Sequence, residues 1–405
     1  MQRLLKLFDL LTPSLRWFML GIVLANIAGD MALGLMPVYL TNLGAGPVQV
    51  GMVFTLSSLV PLALQIFGGA LSDSFGRLRT VALGSTVATT GYFIFIFATS
   101  WEWIVLAMGL ELISTALVGP TYGAFVAEQS SPEARGRVFG LCNGLFMIVG
   151  IVGAPLGGFL AETYGFQTML IIAFLLYTLA TSLRIWMAHR QDFEDTATRT
   201  WPNLTQIGTS IRDLLGLLTA GGIVAWIFIT DGARDIGFRL TENLEPIYLQ
   251  SLGGLSLVQI GALRSLLGLV MMLVTFAAGW LSDRYGERLV IASGFILQGL
   301  AYAVFIQARS FVAFGLAATL MGLGFGIMSP AYDALITRVI PQTMQGTAFG
   351  LFWSSQGVIS LPAPWIGGWL WDRFGPRVPF IITGLIALSS AYPAWRKFKA
   401  GASQA

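Results

Sequence analysis

Apolar stretches long enough to cross a hydrocarbon layer of roughly 30 Å, which takes about twenty helical residues, recur from residue 14 to residue 395. Inside a bilayer every backbone polar group has to be bonded within the protein, and segments of this length achieve that as helices. Twelve spans follow, at 14–40, 48–71, 80–100, 102–127, 137–162, 166–188, 216–250, 256–281, 288–307, 310–332, 346–371 and 377–395. Composition agrees: of 405 residues 55% are hydrophobic and 11% charged. That is too few ionic groups to cover a soluble body of this size.

Several classes are excluded early. Cys142 is the one cysteine and His189 the one histidine, so neither an intramolecular disulfide nor a thiolate or imidazole metal cluster is expected. No metal or other cofactor is implied, and no phosphate-binding loop or nucleophile motif points to an enzyme. The lead Met1–Pro13 is basic and amphipathic and has no small-residue cleavage site, so it is not read as a removable signal. His189 reads as a polar residue flanking span six.

The net charge of +3 carries less information than its placement. Twelve spans put both termini on one side. That side holds Arg3, Lys6, Arg16, Arg77, Arg79, Arg135, Arg137, Arg184, Arg190, Arg199, Arg212, Arg284, Arg288, Arg338, Arg396, Lys397 and Lys399, against Arg309, Arg373 and Arg377 on the other. Seventeen against three predicts cytoplasmic termini in a cell membrane. Basic charge sorted in this way indicates topology and no nucleic-acid partner. The polar stretch His189–Asp213, with Pro202, reads as a cytoplasmic linker, so the Asn203-Leu204-Thr205 sequon is silent. The expected domains are a six-helix bundle at 1–188, the linker at 189–215, and a second bundle at 216–405 with a short basic tail.

The chain repeats itself at an offset of 210 residues. Val48-Gln49-Val50-Gly51 returns as Val258-Gln259-Ile260-Gly261, and Leu71-Ser72-Asp73 with Gly76 as Leu281-Ser282-Asp283 with Gly286. Pro120 and Tyr122 return as Pro330 and Tyr332, and Gly157, Gly158 and Gly165 as Gly367, Gly368 and Gly375. A finer repeat of 89 residues relates Gly68–Gly76 to Gly157–Gly165, and Ala278–Gly286 to Gly367–Gly375. Three spans separate those copies, so the second triplet enters the membrane from the opposite side. The predicted fold is an all-α membrane protein of twelve transmembrane helices, two six-helix bundles each of two inverted three-helix repeats.

The segment Gly69-Ala70-Leu71-Ser72-Asp73-Ser74-Phe75-Gly76-Arg77-Leu78-Arg79 resembles the signature between helices two and three of the major facilitator superfamily. Ser74 stands where the signature has a basic residue, and the second base comes one place late, at Arg79. A degenerate copy, Gly279 to Arg288, lies where the family also has one. The resemblance covers essentially the whole chain and is closest in feel to the twelve-helix drug-proton antiporters. It implies a secondary transporter working by alternating access. It also implies a charge relay that latches the cytoplasmic side: Gly69, Asp73, Gly76, Arg77 and Glu128 in the first half, Asp283, Gly286 and Arg288 in the second. Gly153-Ala154-Pro155-Leu156-Gly157-Gly158 looks like the Gly-Pro-rich stretch of those antiporters with the proline one place late, and helix packing explains its glycines equally well. The intramembrane arginine that they carry in span four is replaced here by Ala107 and Met108, with Glu111 following.

An ionisable side chain near the bilayer centre costs roughly 2.5 to 3.5 kcal/mol, so each one asks for a functional reason. Asp30 lies in span one, Glu111 in span four, Asp231, Arg234, Asp235, Arg239, Glu242 and Glu245 in span seven, Arg264 in span eight and Asp333 in span ten. At about 100° per residue the six in span seven fall within an arc of about 140°, which predicts one charged stripe facing water or partner charges. Arg234 and Arg239 also stand three or four residues from acids on their own helix, so local neutralisation is an equally strong reading. In span one Asn26, Asp30, Leu33 and Pro37 share a narrow face. No basic residue lies within four positions of Asp30 or Glu111; a carboxyl buried without an opposite charge favours its protonated form, which makes either a candidate proton carrier. An offset of 209 pairs Asp30 with Arg239 and Asn26 with Asp235, so these groups are expected to face a central cavity. Tyr122, Tyr332, Trp353 and Gln356 are further candidates to line it.

The substrate or proton site is accordingly expected among Asp30, Asn26, Glu111, Asp231, Asp235, Arg239, Glu242 and Arg264. Intramembrane acids outnumber bases seven to three on this count, which favours proton-coupled export of cationic or neutral amphipathic compounds by a monomer. The alternatives are uptake of a sugar, organic acid or other metabolite, with Arg239 and Arg264 as anion ligands, and a non-transporting receptor or scaffold on the same fold.

Overall fold

The computed structural model describes residues 11–131, 133–190, 222–339 and 359–398, with backbone alone over 60–63, 65–74 and at 120. Fourteen helices and no strand occur among the described residues. They are α1 Pro13–Leu33, α2 Met36–Asn42, α3 Pro47–Phe75, α4 Arg77–Phe97, α5 Trp101–Glu128, α6 Arg135–Tyr164, α7 Phe166–His189, α8 Gly222–Thr241, α9 Glu245–Ser251, α10 Leu257–Tyr285, α11 Glu287–Phe305, α12 Phe311–Val339, α13 Ala363–Phe374 and α14 Val378–Lys397. Nine of the described helices are long and apolar enough to cross a membrane. Helix α8 misses that criterion because Asp231, Arg234, Asp235 and Arg239 fall within its 20 residues.

Expected spans one and seven are each broken. Helix α1 ends at Leu33 and α2 begins at Met36; α8 ends at Thr241 and α9 begins at Glu245. Pro37 and Pro246 cause both breaks, because each lacks an N–H and its ring collides with the carbonyl four residues back. Pro37 therefore lies outside the helix that carries Asn26, Asp30 and Leu33. Likewise, the six-charge stripe does not run along one helix: Glu242 sits in the turn and Glu245 opens α9. The signature segment also departs from the loop expected of it, since residues 71–75 are helical and Gly76 alone separates α3 from α4.

The glycines that mark the repeats have a conformational reason. Gly76, Gly165, Gly286 and Gly375 take φ/ψ of 94/148°, 84/159°, 80/147° and 102/161°. This region is essentially closed to residues with a Cβ. Each follows directly on the last residue of a helix, so four copies of one glycine are four copies of one turn.

The chain divides into two compact units, Met1–Ala45 with Val53–Pro202 and Ser256–Ala262, and Gly46–Met52 with Asn203–Leu255 and Leu263–Ala405. In unit 1, α1 packs on α6 and α7, and α4 on α5 and α7. Unit 2 repeats every one of these pairings with α8 on α13 and α14, and α11 on α12 and α14. The other repeated glycines are the contact points. A Cβ on Gly157 would stand 2.5 Å from the Met31 carbonyl oxygen, and one on Gly261 would stand 2.6 Å from that of Ala154. Gly367, Gly51 and Gly368 meet Leu240, Pro364 and Pro47 in the same way. Backbones approach this closely only where the side chain is a hydrogen.

Each unit has its own core. Leu15, Phe18, Ile22, Phe125 and Met187 fill that of unit 1; Phe295, Met328, Tyr332, Leu335 and Ala394 fill that of unit 2. Facing outward are residues such as Phe97, Leu175, Phe276 and Val312, the last two 77% and 79% exposed. Large apolar side chains turned outward along apolar helices identify a lipid-facing surface.

Candidate functional site

Three helices of unit 1 each present one stripe to a shared cavity. At helical spacing Ile22, Asn26, Asp30 and Leu33 recur on α1, Glu111, Thr115, Val118 and Tyr122 on α5, and Tyr177 and Arg184 on α7. These residues, with Phe146 of α6, line a space of about 360 Å³. Asp30 and Asn26 are partly buried, and the Asn26 amide donates to the Ile22 carbonyl at 2.8 Å. Glu111 is 8% exposed; Thr115 hydrogen-bonds to it, while its Oε2 is buried without a hydrogen-bond partner. Tyr122 stands edge-on to Phe146, ring centroids 5.0 Å apart, and makes an apolar wall.

Helix α1 is pressed against α6 directly beneath Asp30. A Cβ on Gly153 would lie 2.6 Å from the Asp30 Cβ. The Gly-Pro-rich stretch thus works as a packing surface that fixes the depth of this carboxylate.

Arg184 was counted above with the cytoplasmic charges, and the structure corrects that. It is 2% exposed, inside α7 and on the cavity. Its Nη1 donates to Ser85 Oγ at 2.6 Å and its Nη2 to the Gly21 carbonyl at 3.3 Å. Tyr177, also unanticipated, hydrogen-bonds to Ser114 at 3.2 Å and stacks on Tyr92 at 4.6 Å. A signal existed for both: Tyr177 and Arg184 lie two helical turns apart, and Arg190 already supplies the flanking charge of that span. Without Arg184 the count of flanking bases is sixteen against three, so the predicted orientation is unaffected.

Unit 2 handles its charges differently. Asp231, fully buried, pairs with Arg234 at 2.6 Å, and Asp235 pairs with Arg239 at 3.0 Å. The Arg234 guanidinium lies 5.5 Å from the centre of the Tyr332 ring, and Thr230 and Tyr332 share a hydrogen bond of 2.9 Å. Arg234 and Asp235 border a second cavity of about 270 Å³ with Phe238, Met271 and Phe325. Glu242 and Glu245 lie within electrostatic reach of Arg264, and Glu242 also of Arg239 and Asp235. Of the candidate lining residues, Tyr122 borders the unit 1 cavity, Tyr332 is buried in the unit 2 core, and Trp353 and Gln356 lie outside the described residues.

Among the latch candidates, Arg77 Nε meets Glu128 Oε1 at 3.1 Å. At the equivalent places of the second half Glu287 meets Arg338 at 3.0 Å, with the charges exchanged. Asp283 is exposed at the end of α10, and Arg288 lies 5.8 Å from the centre of the Trp395 ring. The side chain of Asp73 and the surroundings of Gly69 lie outside the described residues.

The model of the Major Facilitator Superfamily matches residues 18–231 and 227–401. The chain belongs to this superfamily. It is a multi-pass membrane transporter of a family that moves small molecules, not an enzyme. It is 23% identical over 379 residues to a protein named multi-drug resistance efflux pump PmrA homolog of Lactococcus lactis, covering 91% of each chain. To the multidrug resistance protein MdtG of Escherichia coli it is 22% identical over 393 residues, covering 94% of this chain and 93% of that one. Its fold is similar to that of the nucleoside transporter NupG, with a TM-score of 0.78 at 14% identity, covering 96% of this chain and all of the other.

Proposed function

We propose that this superfamily member exports small amphipathic compounds in exchange for protons, and that the cavity of unit 1 is where both bind. The observation that carries this reading is the meeting of Asp30 and Glu111, from two helices, on one cavity with an aromatic wall. Carboxyls at membrane depth are costly, so those that a chain keeps mark substrate or proton pathways by default, and Tyr122 and Phe146 offer a surface for an apolar body. The likeness to proteins named as multidrug efflux pumps supports export. Asp30 is assigned as the proton carrier and Glu111 as the group facing the substrate. The ion pairs of α8 neutralise charges on that helix, and Arg234 and Asp235 line the smaller cavity.

The same reading has a monomer in the cell membrane with both termini cytoplasmic, as the sorting of basic residues favours. Asp73, Arg77 and Glu128 would latch the cytoplasmic side. Asp73→Asn is expected to raise the accessibility of single cysteines beside span eleven; unchanged accessibility would leave the motif a topological signal alone. The decisive test is flux of a lipophilic fluorescent dye in proteoliposomes with and without a pH gradient. Gradient-driven accumulation is expected, and a flux indifferent to the gradient would remove proton coupling.

A further inference from the structure

Arg184 differs from Arg234 and Arg239, the paired arginines of α8. Asp231 and Asp235 neutralise Arg234 and Arg239. Arg184 instead bonds to neutral groups, the Ser85 hydroxyl, the Gly21 carbonyl and the Tyr177 hydroxyl, and no carboxylate pairs with it among the described residues. Its Nε is buried without a hydrogen-bond partner. A guanidinium has no neutral form to retreat to, so within an apolar bundle this is a standing positive charge that lacks its anion. The same cavity holds Glu111 Oε2, buried and lacking a donor. The Tyr177 hydroxyl lies within electrostatic reach of both. One site therefore lacks an acceptor at one pole and a donor at the other.

We propose that Arg184 is the counter-charge for an acidic group on the substrate, so that the unit 1 cavity takes zwitterionic amphiphiles. The acid meets Arg184, an ammonium or hydroxyl meets Glu111, and the apolar body lies on Tyr122 and Phe146. The inference rests on the reading of this cavity as the transport site, and it revises the preference for cations that followed from counting Arg184 as cytoplasmic. The competing role is purely architectural, with Arg184 pinning α7 to α1 and α4.

The test uses the full chain in detergent and two fluorescent probes of one shape: a xanthene dye with a free carboxylate, and its ethyl ester, a cation without one. The parent is expected to bind the acid about tenfold or more tighter than the ester, as a charge-assisted bond gives. Arg184→Gln should weaken the acid by about that factor and the ester by less than about twofold, and Arg184→Lys should restore part of the difference. Ester binding by the Gln variant doubles as the check that it is folded. Equal weakening of both dyes, or of neither, overturns the inference and leaves the cavity as an amphiphile site. A parent that binds the ester but shows no preference for the acid has the same consequence. If the parent binds neither dye, both the inference and the reading beneath it fall.

Discussion

The two halves repeat each other in backbone and differ in how they treat charge. In unit 2, two pairs form within α8 itself, Asp231 with Arg234 and Asp235 with Arg239. In unit 1, Glu111 and Arg184 sit on different helices around one cavity, and neither is in an ion pair among the described residues. A neutralised pair resists change, whereas a charge without a counter-ion awaits one. The surface pairs add a second lesson: Arg77–Glu128 and Glu287–Arg338 keep one geometry with exchanged signs. At those positions the ion pair between helices recurs while its polarity is exchanged.

The largest effect is expected where a partner of the buried pair in unit 2 is removed. Arg234→Gln leaves Asp231 buried and uncompensated and should cost about 3 to 5 kcal/mol, read as a fall in melting temperature. Adding Asp231→Asn should recover most of the loss. A single variant as stable as the parent would show that Asp231 does not need this counter-charge.

In unit 1, Asp30→Asn keeps shape and hydrogen bonding, so folding should survive. Gradient-driven flux should fall by about a hundredfold, the scale of a lost proton-transfer group, while substrate exchange persists. Asp235→Asn should leave the pH profile unchanged. If the two variants behave alike, the contrast between the halves has no functional content. Weaker binding with an unaltered pH profile would instead make Asp30 a ligand of the substrate.

The backbone symmetry can be tested separately. Gly157→Ala and Gly367→Ala both place a methyl against a carbonyl of the facing helix, Met31 and Leu240 respectively, and each should cost about 1 to 3 kcal/mol. Gly140→Ala, with open space around it, should cost nothing measurable. Unequal losses from the first two would show that the halves diverge in packing as well as in charge.

Smallest is the exchange of the surface pair. Arg77→Glu or Glu128→Arg alone should cost under about 1 kcal/mol, and the double variant should return to the parent value. A double-variant cycle on melting temperature measures the coupling, and no recovery would mean that polarity matters there after all.

Span positions, the duplicated and inverted order, and the glycines at turns and contacts were legible because each depends on local rules or on a fixed offset. A positive φ at Gly76 or a flush contact at Gly157 leaves a glycine that recurs wherever the same turn or contact recurs. Proline breaks were within reach, since Pro37 and Pro246 stand in both copies; an apolar run through residues 33–40 hid the first, and reading the polar residues within 239–245 as part of one charged stripe hid the second. The neutralising pairs of α8 could be anticipated from spacing alone, because residues three or four apart on a helix are neighbours whatever the rest of the fold does.

The chain alone therefore determined the helices, their duplication and the family. Tertiary structure decided which buried polar groups meet across helices. An arginine one turn from a membrane boundary can extend its long side chain to water or turn it inward, and hydropathy is the same in either case. For Arg184 the choice fell to Ser85 and the Gly21 carbonyl, residues 99 and 163 positions away in sequence, and no periodicity within α7 encodes partners at that distance.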